Sequence, residues 1–133
     1  MIDQPMRVLV AESEPDQREI LARVAAVALD AEVVAVSDGG EALGELEAAS
    51  YEFDLVLLGV EMARASGLDV LSAVHSIRPE VPVVLFSRDA AASEAALELG
   101  ARAFVRRPFR PAELGARLPD LVPARRQALA PVG

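Results

Sequence analysis

The 133 residues are 53% apolar and include no cysteine, which predicts one compact domain with a proper core, no room for a second, and nothing that points to export. A formal net charge of −8 opposes a nucleic-acid partner, because such binding rests on cations that displace counterions from phosphates. No apolar run approaches the ~18 residues that span a bilayer and no basic-then-apolar leader opens the chain, so the expected location is cytoplasmic, with no membrane partner.

Along the chain, short β-branched apolar runs bounded by turn residues alternate five times with longer amphipathic stretches, the pattern of a parallel sheet wrapped by helices. Strands are predicted near 6–11, 32–36, 54–59, 82–87 and 102–106. The first helix begins near Pro15, with Ser13 or Glu14 to cap it and Glu14 and Asp16 suiting its dipole; Ile20, Val24, Val27 and Ala28 are predicted to face the sheet. The second, about 39–49, follows Ser37-Asp38-Gly39-Gly40 and buries Ala42, Leu43 and Leu46, with Gly44 weakening it. The third, about 67–78, turns Leu68, Leu71, Val74 and His75 inward and ends before Pro79. The fourth, about 91–99, is Ala-rich and stops at Gly100. The fifth opens near Pro111, packs through Leu114 and Leu118, and is challenged at Pro119, which either ends it or starts a short continuation over 120–129. The expected organisation is one domain over 1–120 and a tail or short helical extension over 121–133.

The run Asp54-Leu55-Val56-Leu57-Leu58-Gly59-Val60-Glu61-Met62-Ala63-Arg64-Ala65-Ser66-Gly67 resembles the central motif of response-regulator receiver (CheY-like) domains. There a buried strand delivers an Asp to a loop, and x-x-Met-Pro and a helix-opening Gly follow. Here Gly59 stands where that Asp is expected, and Ala63 where the Pro is. Four more motifs agree in order. Val8-Leu9-Val10-Ala11-Glu12-Ser13 is similar to the first strand with its acidic pair, and Val83-Val84-Leu85-Phe86-Ser87 to the fourth strand with its terminal hydroxyl. Phe104 matches the switch aromatic, and Arg107-Pro108-Phe109 the Lys-Pro-Phe signature. The resemblance covers about residues 6–118 and implies an α/β fold: a five-stranded parallel sheet, doubly wound, (βα)5 and flavodoxin-like.

Such a sheet puts its ligand crevice at the carboxyl ends of the strands, which here collects Glu12, Ser13, Gly59, Glu61, Ser87 and Arg107. In a working receiver, the resemblance implies, three carboxylates bind Mg²⁺, one of them attacks the phosphoryl donor, and the Ser/Thr and Lys hold the product. This chain keeps Glu12 and Ser87, has Ser13 at the second acidic position and Gly59 at the nucleophile, and exchanges the Lys for Arg107. Glycine offers no side-chain oxygen. The expected function is therefore a stand-alone, phosphorylation-independent pseudo-receiver, a protein–protein interaction module in signal transduction and not an enzyme. The alternative is a two-component response regulator still phosphorylated on a substitute carboxylate, Glu12 or Glu61; Asp54 begins its strand and should point away. No cofactor is expected, and a weak Mg²⁺ site from Glu12, Glu14 and Glu61 is the departure left open.

Arg107 can enter the crevice and grip Glu12 or Glu61 where a Lys would give a point charge. Such a pair would hold Ser87 and Phe104 in one arrangement. The plain alternative is an Arg107 in solvent above a hydrated crevice, and an anion or small molecule drawn to Arg107 in the room left by Gly59 is a third. His75, the one histidine, lacks partners for a zinc site. Ser66 reads as a helix cap more readily than as a modification site. Ser87 has no acid–base set around it, and no phosphate-binding glycine loop is present.

Charge is bipolar along the chain: residues 1–101 carry −13 and residues 102–133 carry +5, with no lysine anywhere. In receivers the resemblance implies signalling through the fourth helix, fifth strand and fifth helix. Arg102, Arg106, Arg110 and Arg117, with Leu114 and Leu118 beside them, are expected to form a basic rim around an apolar centre there. The expected partner is a signalling protein with an acidic surface, or a second copy through the same face.

Overall fold

A computed structural model of the chain describes residues 4–122; almost all of the expected 121–133 tail, and most of the continuation over 120–129, lie outside the described residues. The elements run β1 (Arg7–Ala11), α1 (Pro15–Leu29), β2 (Glu32–Val36), α2 (Gly39–Ala48), β3 (Leu55–Gly59), α3 (Gly67–Ile77), β4 (Val83–Ser87), α4 (Ala92–Glu98), β5 (Ala103–Arg106) and α5 (Pro111–Leu121). All strands are parallel, in the order β2-β1-β3-β4-β5. This is the predicted doubly wound α/β architecture.

The two-residue period of the strands sorts their side chains onto two cores. Leu9, Val56, Leu58, Val83 and Leu85 join α2, α3 and α4 through Ala42, Leu46, Leu71, Val74 and Ala96. Val8, Val10, Leu55, Leu57, Val84 and Phe86 join α1 and α5 through Leu21, Ala25, Leu114 and Leu118. β3 and β4 are buried at every position, and each fully buried aliphatic side chain contributes about 1.5–3 kcal/mol. At the opposite end of the sheet from the crevice, the Arg7 N–H donates to Asp54 Oδ2 at 2.8 Å and the Asp54 N–H to the Arg7 carbonyl at 2.8 Å. Asp54 is thus turned away from the crevice, as expected.

Four details depart from expectation. The sheet-facing stripe of α1 is Leu21 and Ala25; Ile20, Val24 and Ala28 sit half-buried at its edge, and Val27 is 80% exposed. A rotation of 100° per residue carries position 27 away from a stripe centred on 21 and 25. Glu14 is the N-cap of α1, but neither it nor Ser13 caps through a side chain; the Glu14 N–H instead reaches back to Glu12 Oε2 at 3.0 Å. His75 is exposed on α3, its ring against Gly100. Pro119 sits inside α5, which continues to Leu121; one turn from the end, its missing N–H removes a single intrahelical bond.

The loop after β3 is clamped to the start of α2. The Gly39 N–H donates to the Ala63 carbonyl at 3.2 Å, and Arg64 donates from Nε and Nη2 to the two Asp38 oxygens, both at 3.2 Å. A Cβ at Gly39 would overlap the Ala65 carbonyl oxygen, so only glycine permits this approach. Asp38 caps α2 by accepting the Glu41 N–H at 2.7 Å, while Glu41 accepts the Ser37 N–H and hydroxyl, each at 2.8 Å. The Glu41 N–H, then Arg64, holds the Asp38 carboxyl below its ordinary range, and the Ser37 N–H and hydroxyl do the same for Glu41. Both folded pKa values are depressed, so this anchoring is full above the ordinary carboxylate range and is lost as pH falls through the folded values. Carboxyl-carbon NMR titrations are expected to show both midpoints below the ordinary values of about 4; midpoints at or above them would contradict the clamp.

At α3 the Ser66 reading holds: its hydroxyl accepts the Asp69 N–H at 3.1 Å and the Asp69 carboxylate accepts the Ser66 N–H at 3.0 Å. This reciprocal capping box fixes where the helix starts. A Cβ at Gly67 would overlap the Gly59 carbonyl oxygen, so the start of α3 lies directly against the end of β3.

Candidate functional site

The carboxyl ends of β1, β3, β4 and β5 bring Glu12, Gly59, Ser87 and Arg107 together. Glu12 follows β1 and continues its ladder, its N–H donating to the Val36 carbonyl at 3.1 Å. The side chain turns inward and is 2% exposed. Arg107 follows β5, its N–H donating to the Ser87 carbonyl at 2.9 Å, and it too is buried. Arg107 Nη2 donates to Glu12 Oε1 at 2.5 Å. The guanidinium carbon also lies 5.7 Å from the centroid of the Phe86 ring, which is in turn 5.5 Å from Phe109. Of the two carboxylates the sequence left open as its partner, Arg107 pairs with Glu12.

Burying an ion pair is worthwhile only where the remaining oxygens and protons find partners. Glu12 meets that condition: Oε2 accepts the Glu14 N–H, and the Glu12 carbonyl accepts Arg18 Nη1 at 2.9 Å. Arg107 meets it incompletely, since its buried Nε has no partner among the described residues.

Gly59 is what makes the pair fit. A Cβ at position 59 would overlap Glu12 Oε1, and Arg107 Nη2 would be 3.8 Å away. The Glu12 carboxylate therefore fills the space that a side chain on residue 59 would need.

A second, wetter contact lies beside the first. Ser87 donates from Oγ to Glu61 Oε2 at 2.8 Å and accepts the Asp89 N–H at 2.9 Å. Ser13 donates to the Glu61 carbonyl at 3.3 Å. All six expected crevice residues are thus assembled in one place, with Glu61 on Ser87 and Glu12 on Arg107. A cleft of about 250 Å³ remains, lined by Glu12, Ser13, Glu14, Glu61, Arg88 and Arg107. Arg88 and the Phe86 ring beneath Arg107 went unread in the sequence, although both adjoin Ser87.

These donors do not fit Mg²⁺. That ion wants near-octahedral oxygen ligation with well-placed carboxylates, whereas the Glu12 carboxylate is committed to Arg107 and the Glu14 N–H, Glu61 is engaged by Ser87, and Gly59 supplies no side-chain oxygen. Among the described residues no group of three or more His, Cys, Asp or Glu could hold a metal ion.

Phe104 is half-buried against the core on the α2, α3 and α4 side. On the α4, β5 and α5 surface, Arg102, Arg106, Arg110 and Arg117 are all exposed. Arg102 Nη1 also donates to the Leu121 carbonyl at 3.2 Å, capping the end of α5, and Arg110 lies 3.8 Å from Glu113. Leu114 is not part of this surface. It is buried with Leu118 between α5 and the sheet, because its helix must spend that stripe on the core. The large exposed apolar side chains here are Leu97 and Leu99, in and just after α4.

Residues 8–119 match the family model for the response regulator receiver domain. A protein-glutamate methylesterase/protein-glutamine glutaminase of Rhizobium etli is 38% identical over 102 residues, which are 73% of this chain and 28% of that protein. The probable transcriptional regulatory protein TcrX of Mycobacterium tuberculosis is 34% identical over 122 residues, 90% of this chain and 50% of that one. The chain thus spans half or less of the length of these relatives. Among solved structures, a CheY-like receiver domain from Methanospirillum hungatei superposes with a TM-score of 0.82 at 19% identity, covering 94% of this chain and 98% of that one. Chemotaxis protein CheY4 of Vibrio cholerae gives 0.78 at 23% identity, covering 90% and 100%. At these identities the superpositions speak for the fold alone. With the motifs in register and the family match over residues 8–119, the chain belongs to the response regulator receiver domains of two-component signalling.

Proposed function

We propose that this receiver domain signals without being phosphorylated, as a protein–protein interaction module. The observation that carries the reading is the Glu12–Arg107 pair above Gly59: the chain supplies from within the negative charge that a phosphoryl group would bring. Residue 59 offers no nucleophile, and Glu12, the nearest carboxylate, is closed off by its buried partner. With Arg107 anchored, β5 and the loop to α5 are held in one arrangement beside Ser87 and Phe104. The partner face is the exposed basic surface of Arg102, Arg106, Arg110 and Arg117, which suits an acidic protein surface. Long-range attraction of that kind speeds encounter and falls with salt.

The competing reading is phosphorylation on a substitute carboxylate, and the exposed Glu61 beside Ser87 is the accessible one. A glutamyl side chain would place the acceptor one methylene out of the geometry that transfer tolerates. Intact mass after incubation with acetyl phosphate and Mg²⁺ separates the two. The expected result is no gain in the natural chain. A gain of one phosphoryl group, lost on Glu61→Gln or Glu12→Gln, would overturn the proposal.

A further inference from the structure

Arg107 borders a second, smaller space besides the crevice. A cavity of about 70 Å³ lies where the start of α1, the loop after β4 and the turn from β5 into α5 meet, and Gln17, Arg88 and Arg107 supply its polar lining. Ile20, Phe109 and Pro111 close much of the rest. Glu12, Glu14 and Glu61 line the crevice, whereas no carboxylate lines this cavity, so its two arginines meet no counter-charge there. Arg88 is exposed, and neither its side chain nor that of Gln17 makes a hydrogen bond or ion pair among the described residues.

Three features select an anion small enough to fit. The Arg107 side chain is 8% exposed, and its buried Nε N–H has no partner among the described residues. A buried donor left unmet is costly, and an acceptor seated in the cavity removes that cost. Two helices also begin here, with Gln17 in the first turn of α1 and Pro111 at the first position of α5, and neither N-terminus is capped by a side chain. Their partial positive charge therefore stays available. The volume is far below the roughly 300–1,000 Å³ of sites that hold drug-sized ligands, which leaves room for an ion and not for a nucleotide.

We propose that this cavity is a binding site for a small oxyanion of the phosphate or carboxylate type, held by Arg88, the Gln17 amide and Arg107 Nε. Guanidinium groups donate equally well to both kinds of oxygen. Arg107 then serves Glu12 through Nη2 and the anion through Nε, so occupancy steadies the buried pair. Thermal melts in sodium phosphate and in sodium acetate, each against sodium chloride of equal ionic strength, test the site. Phosphate at ten times its dissociation constant is expected to raise the midpoint by about 4–7 °C. The Arg107 Nε–H resonance, assigned by its loss in Arg107→Lys, should move over the same concentrations. Acetate with the same effect extends the ligand to carboxylates, and acetate without it confines the ligand to phosphates; either result supports the site. Arg88→Gln and Gln17→Leu lie outside the Glu12–Arg107 pair, and each should weaken phosphate binding roughly tenfold or more. Gln17 separates the two locations, because it lines this cavity and not the crevice. No stabilisation beyond the chloride control, an Nε–H resonance that does not respond, or a Gln17→Leu chain that binds phosphate like the natural one would each overturn the proposal.

Discussion

Replacing Arg107 with alanine is expected to lower stability by about 3–5 kcal/mol, because it leaves the Glu12 carboxylate buried without its counter-charge. At about 3–5 °C per kcal/mol for a domain of this size, the thermal midpoint should fall by roughly 10–20 °C. Removing both charges together, as Glu12→Leu with Arg107→Met, should recover most of the loss: a well-packed apolar pair commonly equals or exceeds a buried ion pair. Urea denaturation of the four chains forms a double-mutant cycle. A loss below about 1 kcal/mol for Arg107→Ala, the range of solvated surface pairs, would show that the guanidinium lies in water.

Placing a carboxylate at residue 59 should destabilise the fold unless Glu12 is removed with it. In Gly59→Asp the new Cβ occupies the place of Glu12 Oε1, so two carboxylates contend for one guanidinium and one is displaced without compensation. The expected loss is about 2–4 kcal/mol, within the range for an unpaired buried charge or an overpacked core. Adding Glu12→Ala should reverse most of it, because the introduced carboxylate can then take Arg107. Thermal melts of the two single variants and the combination give the coupling. Additive losses would mean that Glu12 and residue 59 do not share space.

Much of this was legible in the sequence. The five strands fall within a residue of the periodicity reading, because runs such as Leu55–Gly59, buried on both faces of a parallel sheet, leave little ambiguity. The crevice residues could be gathered from topology alone, since every one follows or ends a strand. The partner of Arg107 could not be read, because Glu12 and Glu61 are both at strand ends and differ only in where their side chains reach. Val27 was misread because Ile20, Val24 and Ala28 share its helical spacing, and in an Ala-rich helix the pattern does not separate the sheet-facing stripe from its edge. Leu114 was placed both in the core and on the partner face; one side chain cannot serve both, and burial decided for the core.

The two ends of the Glu12–Arg107 bond are 95 residues apart in the chain. One follows β1, inside the sheet, and the other follows β5, an edge strand and the last in the sequence, so forming the contact closes a long loop. Interactions absent from the folding transition state act almost wholly on the unfolding rate. Arg107→Ala is therefore expected to speed unfolding and leave the folding rate nearly unchanged, and a chevron plot in which the folding limb slows instead would contradict this.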